Sequence, residues 1–91
     1  MKERVHLSIH GRVQMVGFRF FAQRTASGFG VSGWVRNCPD GSVEVFAEGD
    51  RNALDQFISR MKSGPPAAEI VRVDLQWDPD IPGGLSSFSI R

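Results

Sequence analysis

Residues Val5 to Gly30 run VHLSIHGRVQMVGFRFFAQRTASGFG, and the spacing of their apolar residues changes halfway along. Val5, Leu7 and Ile9 alternate with His6, Ser8 and His10, the period of a strand with one buried face. From Gly11 to Gly17 that alternation stops, which predicts a loop. Phe18, Phe21, Ala22 and Thr25 then fall at helical spacing, and Gly28 and Gly30 close the helix. A strand, a glycine-bounded loop and a helix thus follow one another within twenty-six residues.

Reading outward, Val31 to Asn37 predicts a second strand, and Cys38, Pro39, Asp40 and Gly41 a turn. Val43, Val45 and Ala47 alternate with Glu44, Phe46 and Glu48 in a third strand. Asp50 is placed to cap a second helix whose apolar face carries Leu54, Phe57, Ile58 and Met61. Arg60 and Lys62 in its last turn, then Gly64 and Pro65, mark its end. Ile70, Val71, Val73 and Leu75 give a fourth strand. Pro79, Pro82, Gly83 and Gly84 form a loop, and Phe88 and Ile90 a short terminal strand. The order βαββαβ predicts an α+β, ferredoxin-like sandwich: an antiparallel sheet, order 4-1-3-2 plus the short C-terminal strand, with two helices on one face. Right-handed crossovers set that order. They bring the carboxyl ends of the first two strands to one sheet edge, so the 11–17 loop faces Asn37 across about 10 Å, two strand spacings.

Hydrophobic residues make up 41% of the 91 and glycine adds ten more, an ordinary globular balance that excludes a disordered tail. One domain over 1–91 is expected, because two would each fall near the lower size limit. The net charge of +1 argues against a dedicated nucleic-acid binder. Among the basic residues nine are Arg and two Lys, and Arg offers a planar fork for phosphate or carboxylate. The single cysteine, Cys38, excludes an internal disulfide and a multi-cysteine metal site. It fits a reducing, cytoplasmic compartment, and the alternating N-terminus reads as neither signal peptide nor membrane span. No Walker A or HExxH motif is present.

The start of the first helix stands out. Gln14, Met15, Val16 and Gly17 supply no Ser, Thr, Asp or Asn to cap it, and Arg19 puts a positive charge against the helix dipole. Both features suit an anion held by backbone amides and one guanidinium, against the plainer reading of a water-capped helix. Asn37 either serves the turn that follows or orients a water, since an amide donates and accepts at once. His6 and His10 lack further ligands for a metal and read as solvent-side residues. Cys38, without an activating base, reads as a passive thiol. Trp34, Arg36 and Phe46 on the helix-free face would suit stacked RNA bases. However, Glu44 and Glu48 flank them, and aromatics shielded by the terminal segment are the simpler expectation.

These residues resemble the acylphosphatase family. Ile9-His10-Gly11-Arg12-Val13-Gln14-Met15-Val16-Gly17-Phe18-Arg19 is similar to its signature G-x-V-Q-G-V-x-F-R. Gly33-Trp34-Val35-Arg36-Asn37, with Gly41-Ser42-Val43 and Gly49, is similar to its second, G-[FYW]-[AV]-[KR]-N-x3-G-x-V-x5-G. The Gly64-Pro65-Pro66 turn and Phe88-Ser89-Ile90-Arg91 also fit. The resemblance implies hydrolysis of small-molecule acyl phosphates to a carboxylate and inorganic phosphate, with no metal or other cofactor. It implies phosphate binding by the amides of Met15, Val16, Gly17, Phe18 and Arg19 and by the Arg19 guanidinium, and a water positioned by Asn37. Arg19 and Asn37 are then the catalytic pair. A cytoplasmic monomer with neither nucleic-acid nor membrane partner is expected. Met15 departs from the signature, which has Gly there. If the loop needs positive φ, Met costs about 1–2 kcal/mol. A non-catalytic phosphate-binding or regulatory module of the same fold is therefore the alternative.

Overall fold

The computed structural model describes residues 2–91. Strand β1 (Lys2–Arg12) leads through a short loop into helix α1 (Phe18–Phe29); β2 (Ser32–Asn37) and β3 (Val43–Asp50) form a hairpin; helix α2 (Arg51–Ser63) returns to β4 (Glu69–Trp77), and β5 (Phe88–Ile90) closes the chain. The sheet order is β4-β1-β3-β2-β5. β1 is antiparallel to both β3 and β4, and β2 is antiparallel to β3. This is the ferredoxin-like α+β fold expected from the sequence. The short strand β5 joins β2 in parallel, so the five-stranded sheet is mixed. Its direction follows from its approach: residues 78–87 cross the sheet from the β4 edge to the β2 edge before β5 begins.

The alternating residues of the sheet behave as their spacing requires. Val5, Leu7 and Ile9 of β1 are fully buried, as are Val43, Val45 and Ala47 of β3. They pack against Phe18, Ala22 and Ala26 of α1 and Leu54, Phe57, Ile58 and Met61 of α2. β1 runs past the predicted Gly11 boundary to Arg12, with a bulge between His10 and Gly11. Gly11 sits at φ 130°, and a Cβ there would lie 2.1 Å from the Glu69 carbonyl oxygen. Only glycine lets the two backbones close at this bend, which aims the loop that follows.

Asp50 does stand at the N-cap of α2, but its side chain makes no cap hydrogen bond. It is also the last residue of β3, paired with Lys2 in the ladder, and that pairing fixes its backbone. The expected contrast between a capped second helix and an uncapped first is therefore corrected: neither helix has a side-chain cap. At the C-terminal end of α1 the stop is Gly30, at φ 69°, while Gly28 remains inside the helix.

The helix-free face is closed by residues 78–87. An Arg4 Nη1 group donates to the Ile81 carbonyl at 2.8 Å, and the Gly84 amide donates to Glu48 Oε1 at 2.8 Å. Beneath this segment Trp34 stacks on Phe46 at 6.0 Å between ring centroids, with Arg91 over the Trp34 ring at 5.1 Å. Phe46 is fully buried and Trp34 nearly so.

Candidate active site

The residues that leave β1 form the first wall of the site. Val13 is buried and Val16 packs against the core, which pins the loop at two points. Between them the chain turns with Met15 at φ 62°, and Gly17 follows at φ 79°. Both angles lie in the left-handed region, which Gly enters freely and Met enters at a cost of about 1–2 kcal/mol. The Met15 side chain points entirely into solvent. The loop thus keeps the backbone a glycine would allow, with a methionine in its place.

Alternation of φ sign along such a loop gathers successive amides into a concavity that attracts anions. Among the described residues the amides of Met15, Val16, Gly17, Phe18 and Arg19 donate no hydrogen bond. Phe21 makes the first α1 bond, donating to the Gly17 carbonyl at 3.0 Å. The cap Gly17 offers no side chain and the first turn has no acidic residue, so the positive end of the dipole is uncompensated. Arg19 is exposed and has no ion-pair partner among the described residues.

Asn37 supplies the second wall. It is the last residue of β2, paired with Val43, and its half-buried side chain has no hydrogen-bond partner among the described residues. A hollow of about 150 Å³ is lined by Val13, Met15, Gly17, Phe18, Arg19, Phe20 and Asn37. Of the residues expected at the site, the structure brings Met15, Gly17, Phe18, Arg19 and Asn37 to one hollow. Val16 does not line it, because its side chain turns into the core.

Gln14 was legible only as a letter of the signature, and it braces the two walls. Its Nε2 donates to the carbonyls of Cys38 at 2.8 Å and Ser42 at 2.9 Å. The turn it grips is held in turn by Asp40, whose Oδ1 accepts from the Ser42 amide at 3.0 Å and the Ser42 hydroxyl at 2.6 Å. The hydroxyl bond, then the amide bond, hold the Asp40 carboxyl below its usual pKa. A Gln placed between a strand and a helix, opposite a Pro-Asp-Gly turn, was the available signal.

The histidines lie outside the hollow. His6 Nε2 is 2.7 Å from Glu44 Oε2, and His10 Nε2 is 3.4 Å from Asp74 Oδ2. Arg36 also bonds Glu44. Burial alone would push the Glu44 carboxyl up, but the His6 and Arg36 bonds outweigh it and hold the pKa low. No cluster of His, Cys, Asp and Glu able to hold a metal occurs among the described residues.

In this ferredoxin-like domain the uncapped start of α1, Arg19 and the strand-end amide of Asn37 thus meet in a single hollow. Comparison with known proteins gives the family. The acylphosphatase family model matches residues 5–90. An acylphosphatase of Thermococcus kodakarensis is 47% identical over 96% of this chain and 93% of its own length. One from Thermus thermophilus is 45% identical over 90% and 91%. The crystal structure of acylphosphatase from Bacillus subtilis superposes with a TM-score of 0.92 at 37% identity, covering 100% of this chain and 99% of that one. The chain belongs to the acylphosphatase family and is a hydrolase of that class.

Proposed function

We propose that this protein hydrolyses the carboxyl-phosphate bond of small acyl phosphates, using the 15–19 amides and Arg19 to hold the phosphate and Asn37 to position the attacking water. One observation carries the reading: Asn37 and the uncapped start of α1, with Arg19, share one hollow. The water oxygen bonds to phosphorus as the bridging P–O bond breaks. That bond's electron pair leaves with the carboxylate, a good leaving group that needs no protonation. Catalysis then rests on positioning and on stabilising charge on the equatorial oxygens. Asn37 accepts from the water through its carbonyl and so orients it; the amides and the guanidinium meet the oxygens.

Among the described residues no His, Asp or Glu lines the hollow. A non-bridging oxygen of the substrate phosphate therefore takes the water proton, and the reaction proceeds without metal or cofactor. Action as a monomer fits the exposed β4 edge, where Arg72 and Asp74 discourage strand pairing. Among the described residues no helix is long and apolar enough to cross a membrane, and a cytoplasmic site of action goes with the lone thiol.

The test is steady-state hydrolysis of benzoyl phosphate with chelator present, beside Asn37→Ala and Arg19→Gln. Chelator-resistant turnover that falls at least about 100-fold in each variant is expected, the scale of losing one preorganised group. Replacing His6 or His10 by Asn should leave the shape of the pH profile of turnover unchanged. Phosphate binding without turnover in the folded wild-type protein would sink the proposal.

A further inference from the structure

Six of the seven residues lining the hollow lie on the loop and α1; Asn37 alone comes from β2. Two of the six are large apolar side chains left in water. Met15 is 100% exposed and Phe20 67% exposed. Among the described residues, large exposed apolar side chains are otherwise confined to Val71 and Leu75 of the edge strand β4. Met15 also holds a strained backbone there, and no contact within the fold accounts for its side chain.

Phosphoryl transfer puts the attacking and leaving oxygens roughly in line. With water at Asn37, the acyl group leaves on the side of the hollow built by the loop and helix. A second hollow, lined by Trp34, Arg36, Glu44, Ile81 and Arg91, also touches Asn37. None of its lining residues belongs to the β1–α1 loop or to α1, so it shares nothing but Asn37 with the hollow that would hold the phosphate.

We infer that Met15 and Phe20 form an apolar rim that receives the acyl part of the substrate, so that the enzyme favours acyl phosphates with aromatic or bulky apolar acyl groups. The inference rests on the proposed function, since it needs the phosphate in the hollow. Methionine is suited to such a rim: unbranched and polarisable, it packs against an aromatic ring without a fixed shape. Phe20 adds a ring edge. The phosphate is held identically for all substrates, so the rim sets only the preference among acyl groups.

The experiment compares kcat/KM for benzoyl phosphate and acetyl phosphate in the wild type, Phe20→Ser and Met15→Ala, with inhibition by inorganic phosphate as a gauge of the phosphate site. The alanine keeps the loop amide and the positive φ while removing the long side chain. The wild type is expected to favour benzoyl phosphate, and each variant to lose about 5- to 10-fold of that preference, as expected for part of a ring's apolar area. A ratio unchanged in both variants would overturn the rim while leaving the proposed function standing. A wild type that hydrolyses neither substrate would overturn both. Equal loss on both substrates, with weaker phosphate inhibition, would assign Met15 and Phe20 to loop shape and also overturn the rim.

Discussion

Met15 carries a backbone angle that its side chain opposes. At φ 62° a non-glycine residue costs about 1–2 kcal/mol. Glycine would relieve that strain but add about 0.4–1 kcal/mol of unfolded-state entropy. Met15→Gly should therefore stabilise by up to about 1.5 kcal/mol, and kcat/KM for acetyl phosphate should rise or stay level; chemical denaturation and steady-state kinetics check the two. A clear loss of stability would show that the Met15 side chain makes a contact the fold needs. The sequence posed this question at the right residue but could not answer it, because φ at a loop position depends on where the flanking Val13 and Val16 are anchored. Glu44 offers a second test. Its carboxyl is held below the ordinary range by His6 and Arg36 against the opposing pull of burial. A depressed carboxylate stabilises the fold above its unfolded pKa, near 4.3, and that contribution is lost as pH falls through the lower folded value. Between pH 6 and pH 3, urea midpoints should fall further in the wild type than in Glu44→Gln. Parallel loss in both proteins would remove Glu44 from the acid limb.

At the scale of elements, the site is a junction between the β1–α1 loop and the β2–β3 turn, and Gln14 is its fastener. Gln14→Leu leaves the Cys38 and Ser42 carbonyls without its donors, a loss of about 1–2 kcal/mol. The loop and Asn37 would then be set less firmly, and a misplacement of about 1 Å costs on the order of 100-fold in rate. The expected result is a large fall in kcat for acetyl phosphate with a modest fall in melting temperature. A kcat unchanged in a destabilised protein would reduce Gln14 to a structural role. β1 to β4 and both helices were legible because each carries its own periodicity, from Val5-Leu7-Ile9 to Leu54-Phe57-Ile58-Met61. The meeting of Arg19 with Asn37 followed from right-handed crossovers alone. The Gln14 bonds were not legible, since a side chain reaching two carbonyls in another loop leaves no period. Nor was the missing Asp50 cap: residue type favoured the cap, and the β3 ladder overrode it.

Across the whole molecule the two sheet faces are closed by different means, and only one means is written in the pattern. The helices bury the Val5-Leu7-Ile9 face through apolar spacing. The opposite face is covered by residues 78–87, tied to Arg4 and Glu48 through bonds spanning 77 and 36 residues of sequence. Prolines and glycines at 79–84 predicted a loop but not its path. Trp34 and Phe46, the aromatics an RNA-binding reading would use, are both buried. Glu48 is one of the ties of the 78–87 cover: Oε1 accepts the Gly84 amide, and Gly83 lies so near that a Cβ there would meet Oε2 at 2.3 Å. Glu48→Ala should loosen the cover and cost about 1–2 kcal/mol, lowering the melting temperature by about 5–15 °C in a chain this short. With Trp77→Phe as background, Trp34 alone reports, and its emission should shift to the red and quench more readily with acrylamide. Glu48 pairs with Ser32, at the end of the hairpin remote from the Asn37–Val43 pair. Acetyl phosphate hydrolysis should therefore survive in the folded variant. Unchanged quenching would mean that the Trp34–Phe46 stack and the arginines over it, rather than the 78–87 segment, keep water from that face.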